Sequence, residues 1–418
     1  MSIDSYIGKA FYLCCLLQFL SSQCFSRTIY IGKGKEFTSI KQALQQVNPG
    51  DTLVVTQGIY KEGNIRIDKP IVFMGKNWPV LDGENKYEIL SIFADSVYVS
   101  GFRFENSGMS STSDPCAIRI IQASHVCIDN NQLHDNFFGI YIQQSKHCTV
   151  SNNIITASQK EEYNSGNGIH GWKSSHIQIM GNKIKGHRDG IYLEFVTQSI
   201  VWRNIASHNL RYGLHFMFSH QDAYITNVFK NNGAGVAVMF TRNVTMMHNT
   251  FLDNQGDAAY GLLLKEISDC YLAGNTFSNN TTAIFLDGTN RMKIQRNIFK
   301  DNGWGMRIQA NCMENTITQN NFLGNTFDVS TNGSLTLNTF DENYWDKYEG
   351  YDLNKDKRGD VPYHPLSLYA VIVEKNPPSM LLYRSFMTEL LDKSERLLPS
   401  LTPANFVDLR PLMRPLKL

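Results

Sequence analysis

The chain has 418 residues, of which 39 are lysine or arginine and 38 are aspartate or glutamate, so its formal net charge is only +1. A chain without a strong positive field is poorly suited to bind nucleic acid or an anionic membrane surface, and we expect neither as a main partner. Val, Ile and Phe recur in short runs separated by Asn and Gly, which favours many brief strands over long helices.

Residues 1–26 have the order of a secretory signal peptide. Lys9 is followed by an apolar stretch at residues 10–20 and then by small residues around Cys24. The stretch is too short to span a bilayer, and no later segment has the roughly 20 consecutive apolar residues of a membrane helix. The sequence therefore predicts export. Cleavage near Cys24 is favoured over lipidation of that residue, because the bulky Gln23 precedes it.

An asparagine followed two residues later by an apolar residue recurs with a period of about 22 residues, interrupted by loops inserted near residues 159–165 and 255–259. This column comprises Asn131, Asn153, Asn182, Asn204, Asn227, Asn249, Asn275, Asn297, Asn320 and Asn338. A glycine column shares the period and comprises Gly139, Gly168, Gly190, Gly213, Gly235, Gly261 and Gly305, with Ala283 in one glycine position.

Apolar and other residues alternate after each glycine, as in strands with one buried face. The repeats predict an all-β fold, a right-handed parallel β-helix, in which buried asparagine amides of successive coils bond to one another.

We expect this solenoid to occupy residues 27–345. A helical N-terminal cap is predicted at residues 38–47, started by Ser39, and residues 52–56 are predicted as the first strand. Because a solenoid exposes unpaired strand edges at its ends, such a cap is required.

Residues 346–418 are predicted to form a C-terminal tail. Its helix is expected from Met380 to about Leu398, with Phe386 and Leu390 on one face. The tail serves either as a cap or as a docking arm for a partner.

Positions two and four after each glycine are predicted to face outward. They place His215 and Met217 on one strand and Met239 on the next coil, where solvent-facing positions are normally polar. Thioether and imidazole donors suit a soft ion such as Cu(I). The alternative is that a loop or another protein covers these methionines as an ordinary apolar contact. The candidate metal-binding residues are His170, Glu194, His215, Met217, His220 and Met239.

The same face also admits an enzymatic interpretation, in which residues of this face act on an acidic polysaccharide as in a lyase or epimerase; they are His170, Arg188, Asp189, Tyr192, Glu194 and Lys265. The alternative for residues 186–190 is an ordinary charged turn. Nothing in the sequence fixes those roles, and neither the aspartate cluster of a calcium-assisted lyase nor the paired acids of a glycosidase is evident. A glycan-binding envelope protein is a third alternative. We expect a protein that is not an enzyme.

The tail contains an imperfect calcium-loop pattern in Asp352, Asn354, Asp356 and Asp360, whose alternating oxygen donors are typical of such loops. Lys357 stands where the turn glycine is expected, so a polar turn explains the pattern equally well.

Several longer runs closely resemble the NosD family. They are GNGIHGWKS at 166–174, GHRDGIY at 186–192, LRYGLHFMFSH at 210–220, GAGVAVMFT at 233–241, NYWD at 343–346, VPYHP at 361–365 and SLTP at 400–403. The resemblance covers essentially the whole mature chain. It implies a periplasmic β-helix that is associated with an ABC transporter, composed of an ATPase and a membrane permease, and with a copper-chaperone lipoprotein. It further implies a role in assembling the copper-sulfide centre of nitrous oxide reductase. Together with the outward His215, Met217 and Met239, this predicts a site that holds copper transiently as Cu(I).

Overall fold

A computed structural model describes residues 26–110, 112–158, 161–333, 337–383, 385–388, 390–391 and 406–418. The protein is a parallel β-solenoid of the right-handed type, in which three long sheets run side by side along one axis. The predicted fold class is confirmed. The predicted signal peptide lies almost wholly outside the described residues. None of the helices in the described part of the chain combines the length and the apolar character needed to cross a bilayer.

Each complete coil contributes one strand to each sheet, and neighbouring strands within a sheet pair in parallel. Sheet 1 contains Thr28–Ile31, Thr52–Thr56, Val72–Lys76, Tyr98–Ser100, Cys127–Asp129, Thr149–Ser151, Gln178–Met180, Ile200–Trp202, Ala223–Ile225, Thr245–Met247, Tyr271–Ala273, Lys293–Gln295, Met313–Thr318 and Leu337–Asp341. Sheet 2 contains Ile65–Ile67, Leu90–Ile92, Cys116–Ile121, Phe138–Gln143, Ile169–Trp172, Asp189–Glu194, Tyr212–Met217, Ala234–Arg242, Tyr260–Ser268, Thr282–Asp287, Trp304–Ile308 and Phe327–Thr331. Sheet 3 contains Ile59–Tyr60, Val80–Asp82, Arg103–Glu105, Gln132–His134, Ile154–Thr156, Lys183–Lys185, Ile205–Ser207, Val228–Lys230, Thr250–Leu252, Thr276–Ser278, Ile298–Lys300, Asn321–Leu323 and Tyr344–Trp345.

The glycine column lets successive coils approach closely. A Cβ atom on Gly213 would lie 2.7 Å from the carbonyl oxygen of Gly235, a distance that side chains essentially never tolerate. The residues that alternate after the glycine are buried where they point inward, as Leu214 and Phe216 are. Stacked apolar side chains therefore fill the interior, and the opposite residues form the outer surface of sheet 2.

The asparagine column is a ladder of buried amides. The backbone N–H and the side-chain amide of Asn204 both donate to Oδ1 of Asn227, at 2.9 and 3.0 Å, and the same amide donates to the carbonyl of Ile179 at 2.8 Å. The last step runs from Asn320 to Asn343, so the prediction that Asn338 closes this column was wrong. Asn338 instead receives hydrogen bonds from Asn315.

A second amide ladder lies five residues after the first and comprises Asn209, Asn232, Asn254, Asn280, Asn302 and Asn325. The two ladders hold the chain at either end of the short sheet 3 strands. This second column shares the period of the first, but the sequence reasoning missed it.

The N-terminal helix spans Ile40–Gln46 and begins at Ser39, whose hydroxyl accepts from the backbone N–H of Gln42, as predicted. The carboxylate of Glu62 additionally accepts from the backbone N–H of Ile40 at 2.7 Å. A strand at Thr28–Ile31 precedes the helix and pairs with Thr52–Thr56, so the expectation that residues 52–56 form the first strand was wrong.

The tail differs from its prediction. Its described α-helix spans Leu368–Lys375, and residues Pro377–Leu382 form a 3-10 helix, so Met380 does not begin an α-helix. Helical residues resume at Phe386, and most of the stretch up to Leu398 lies outside the described residues. The start was missed because periodicity alone does not separate a 3-10 turn from the first turn of an α-helix.

The tail also closes the solenoid. The Asp408 carboxylate accepts hydrogen bonds from the backbone N–H of Asn343 at 2.9 Å and from the Trp345 indole at 3.0 Å. Arg307 on sheet 2 pairs with Glu374 of the tail helix at 2.7 Å. The amide ladder therefore ends on a carboxylate rather than on unsatisfied groups.

Candidate metal-binding face

The outer surface of sheet 2 carries a column of rings in register. Tyr141 pairs with His170, His170 with Tyr192, and Tyr192 with His215. Their ring centroids are separated by 4.4, 4.9 and 4.8 Å in that order. The outward columns thus follow the predicted register, because each glycine fixes the alternation of its strand.

His170 was expected to be solvent-facing, but it is only 7 % exposed. The rings of Tyr141, Phe138 and Tyr192 surround it, and Nδ1 lies 3.4 Å from the Asn167 amide. Burial, with a further contribution from the positive charge of Arg188, lowers its pKa to about 3. His170 is therefore a neutral imidazole near pH 7, and its Nε2 atom has no hydrogen-bond partner.

His215 is likewise buried, at 6 % exposure, between the rings of Tyr192 and Tyr212. Its Nδ1 lies 3.6 Å from the carboxylate of Asp189, outside hydrogen-bond distance, and neither ring nitrogen has a hydrogen-bond partner. The expectation of a solvent-facing histidine was wrong at this position too, because aromatic neighbours enclose the ring.

Asp189 is fully buried beside this site and is paired with Arg211. Burial disfavours its charged form, but the adjacent His215 ring and the hydrogen bonds from Arg211 lower the pKa of the carboxyl below its ordinary value. From the sequence, Asp189 was interpreted either as part of an enzymatic site or as part of a charged turn. The structure makes it a buried counter-charge at the base of the face.

Met217 and Met239 are half-buried and lie directly opposite each other on consecutive coils. The Tyr192 hydroxyl donates to the Met217 sulfur at 3.6 Å. Since coils are about 4.8 Å apart, two thioether sulfurs stand within reach of one ion. Glu194 is half-buried and pairs with Met217 from the preceding coil. We call His170, Glu194, His215, Met217 and Met239 the His/Met face.

His220 does not join this face. It lies in the turn that follows sheet 2, bridges to Thr197, and its Nδ1 is 3.2 Å from the Thr241 hydroxyl. Partial burial and then the charge of Arg242 lower its pKa. Its proximity to Met217 in the sequence reflects the chain path and not a shared surface.

Three phenylalanines stack along the edge of the His/Met face, the outer two exposed and the middle one half-buried. Phe195, Phe218 and Phe240 immediately follow Glu194, Met217 and Met239, and their ring centroids are 5.3 and 5.1 Å apart. All three have left-handed backbone angles, with φ of 51 to 53°, which bulky side chains rarely adopt. We call these residues the Phe ladder. Sequence reasoning missed it, although three Phe at one repeat position was a visible signal.

The ring column continues towards the N-terminus through Arg119, whose guanidinium lies 4.7 Å from the centre of the Tyr141 ring. Its Nε donates to the Glu88 carboxylate at 2.6 Å. Ala117 takes the glycine position on this coil, so Arg119 was not assigned to the column from the sequence.

The described residues contain no group of three or more His, Cys, Asp or Glu side chains already converged on one point as metal ligands. The His/Met face instead offers two thioethers and unpartnered imidazole nitrogens within a largely enclosed surface. A small number of thioether and imidazole donors fits Cu(I).

The residues of the calcium-loop pattern in the tail, Asp352 to Asp360, form a compact turn. Asp352 accepts hydrogen bonds from the backbone N–H groups of Asp356 and Lys357, and Asp360 accepts from Leu353 at 2.6 Å. Asn354 accepts from Asp356 at 3.0 Å. These bonds are those of the polar-turn alternative, and the calcium loop stays a prediction.

The comparisons with known proteins bear on the whole solenoid. The profile of the family described as periplasmic copper-binding protein (NosD) matches residues 50–164 and 155–350. A protein of Pseudomonas aeruginosa named probable ABC transporter binding protein NosD is 29 % identical over 371 residues, covering 84 % of this chain and 86 % of its own length. A protein of Stutzerimonas stutzeri with the same name is 26 % identical over 84 % of this chain and 85 % of its own.

Solved structures share the fold at low identity. A mannuronic acid-specific family 6 polysaccharide lyase from human gut microbiota has a TM-score of 0.57 at 13 % identity, covering 86 % of this chain and 96 % of its own. An exopolygalacturonase of Thermotoga maritima has a TM-score of 0.52 at 10 % identity, covering 72 % and 84 %. These similarities establish the β-helix and carry no information on activity.

Proposed function

Because the chain belongs to the NosD family of periplasmic copper-binding proteins, we propose that it carries copper in the periplasm for the assembly of nitrous oxide reductase. In this proposal copper is cargo, received from a copper-chaperone lipoprotein and passed on with an ABC transporter. The observation that carries the proposal is the pairing of Met217 with Met239 on consecutive coils beside His215, whose ring nitrogens have no hydrogen-bond partner.

The chemistry of the face suits transfer more than storage. Two thioethers and one imidazole provide few donors, none of them a thiolate, so affinity stays moderate. The Met217 sulfur also accepts a hydrogen bond from Tyr192, which must be given up when the sulfur binds a metal. Copper would therefore be held by few ligands and released readily.

The Phe ladder supports docking of the copper donor next to this site. An exposed apolar stack is costly to leave in water and marks a contact surface when it borders a site. Phe195 and Phe240 are 44 % and 37 % exposed. We assign this edge to the chaperone.

The tail is assigned to the transporter. Its described part exposes several large apolar side chains on one short segment, among them Leu381, Phe386, Met387 and Leu390. Phe386 is 79 % exposed. The docking role predicted for Phe386 and Leu390 is thus retained as part of the proposal.

The test is anaerobic Cu(I) titration of the mature chain against a chromophoric competitor. The double variant Met217→Leu, Met239→Leu keeps volume and apolar character but removes both sulfurs, and we expect affinity to fall at least about 10-fold. The matched control is Met74→Leu, Met313→Leu, which removes two exposed methionines from sheet 1. An unchanged affinity in the first variant, or an equal fall in the control, would place the copper elsewhere.

A further inference from the structure

Three histidines stack on the surface at the turn between sheet 2 and sheet 1. His125, His147 and His176 follow consecutive sheet 2 strands, and all three are exposed. The ring centroids of His125 and His147 are 5.1 Å apart with the rings nearly parallel, at 6°. Those of His147 and His176 are 4.5 Å apart at 34°. We call these residues the His ladder; none of them belongs to the His/Met face.

The backbone fixes the spacing of this ladder. The residues preceding each histidine, Ser124, Lys146 and Ser175, pair with one another as parallel bridges. The backbone N–H of His125 donates to the Lys146 carbonyl at 3.1 Å, and that of His147 donates to the Ser175 carbonyl at 3.1 Å. The backbone therefore holds the three Cβ atoms one coil apart for any rotation of the imidazole rings.

A simpler explanation is that histidine suits this turn. All three residues have left-handed φ angles, between 53 and 59°, and histidine is enriched in that conformation. His208 shows the isolated case, exposed with φ of 54°. That preference explains one histidine at one turn, but it does not explain why three consecutive coils carry it when the next two carry Gln198 and Gln221 at the same position.

The three exposed rings hold their nitrogens at the surface of the turn, where an ion can reach them. The exposed Lys146 beside His147 adds positive charge, so a cation would be held here by coordination and not by a negative field.

We propose that the His ladder is a second, solvent-exposed metal site that binds a divalent first-row ion, Cu²⁺ in preference to Zn²⁺, between His147 and one neighbouring histidine. Metal–imidazole bonds of about 2.0–2.1 Å require two ring nitrogens no more than about 4 Å apart. The stacked rings, with centroids 4.5 and 5.1 Å apart, must turn about their side-chain bonds so that one nitrogen of each of two neighbouring rings faces the ion, and their exposure leaves room for this turn. Water completes the coordination, and Cu²⁺ leads in affinity at nitrogen sites.

This inference does not depend on the proposed function, because the His ladder has only imidazole donors and lies outside sheet 2. The test is titration of the full mature chain with Cu²⁺, followed calorimetrically and by the nitrogen hyperfine signal in electron paramagnetic resonance. His147→Gln should weaken Cu²⁺ binding at least about 10-fold and remove the two-nitrogen signature. His125→Gln and His176→Gln should each weaken it less, since one pair remains.

Glutamine is the chosen replacement because Gln198 and Gln221 occupy the same left-handed position on the following coils. His208→Gln is the matched control, and it should leave Cu²⁺ binding unchanged. Binding unaffected by His147→Gln, or weakened equally by His208→Gln, would overturn the site. Wild-type binding no tighter than millimolar would overturn it as well.

Discussion

The first asparagine ladder inside the solenoid and the column of His and Tyr rings on its outer surface differ in how many of their polar atoms form hydrogen bonds. In the interior ladder each asparagine amide donates and accepts at every coil, as Asn204 and Asn227 do. In the outer column His170 and His215 are also buried, yet ring nitrogens of both lack a partner. A column that completes its hydrogen bonds holds the fold together. A column that leaves donor atoms unpaired retains capacity to bind something else.

The interior column should be the more sensitive to substitution. Asn227→Ala leaves the backbone N–H and amide of Asn204 without their acceptor and the carbonyl of Val201 without its donor, all within a dry core. We expect the free energy of unfolding to fall by about 3 kcal/mol or more, measured by urea denaturation. Gln178→Ala removes an exposed amide from sheet 1 and should change it by less than about 0.5 kcal/mol. Equal effects would contradict the structural role of the ladder.

The outer column should respond to pH instead. In His170→Phe the new ring can stack between Tyr141 and Tyr192 while the unpartnered nitrogen disappears, so we expect stability at pH 7 to change by no more than about 1 kcal/mol. Since the folded pKa of His170 is about 3, below its value of 6.5 in the unfolded chain, the unfolded state binds a proton between these pH values that the folded state does not. Stability from this group is therefore complete above pH 6.5 and is lost as the pH falls.

The measurement is the difference between the unfolding free energies of wild type and His170→Phe at pH 7 and pH 5. Wild type should lose about 1–2 kcal/mol more than the variant over this interval. Buried His187, with a pKa of about 4, and buried Asp222, with a pKa raised to about 8, contribute to both proteins and cancel in the difference. Parallel pH profiles would show that His170 is not buried as described.

The smallest effect on stability is expected at the Phe ladder. In the double variant Phe195→Asn, Phe240→Asn, ring stacking with Phe218 is lost, but asparagine relieves the left-handed backbone, so the unfolding free energy should change by less than about 1 kcal/mol. Transfer of Cu(I) from the chaperone should slow, whereas the affinity for Cu(I) should stay that of wild type. Transfer at the wild-type rate would show that the Phe ladder does not dock the chaperone.

The repeat made most of the solenoid predictable, because Gly190 and Gly213 each set the alternation of one strand and the first asparagine column set the period. The second amide ladder was equally visible, five residues beyond the first, and was overlooked. The burial of the side chains on the His/Met face could not be predicted from the periodicity. Whether His170 is buried depends on side chains such as Phe138 that pack across it, and a pattern along one strand does not reveal what covers it.

Contacts between distant parts of the chain were also out of reach. Asp408 closes a ladder that ends at Asn343, and Arg307 pairs with Glu374, across sequence separations that no repeat connects. The tail lacks the period, so neither its return onto the solenoid nor the helix at Leu368–Lys375 could be read from the spacing that identified the coils.

Because every coil has the same rise, the distance along the axis between two surface residues is fixed by the number of coils between them. Each coil advances the axis by one strand spacing of about 4.8 Å, so the two coils that separate His176 from Met217 fix their axial offset at roughly 10 Å. Loops that vary in length, such as the one after Asn254, project away from the axis and leave the spacing of the coils unchanged. Residues on the surface can therefore be substituted independently while the distances between their positions stay constant. Only the gain or loss of a whole coil would change those distances.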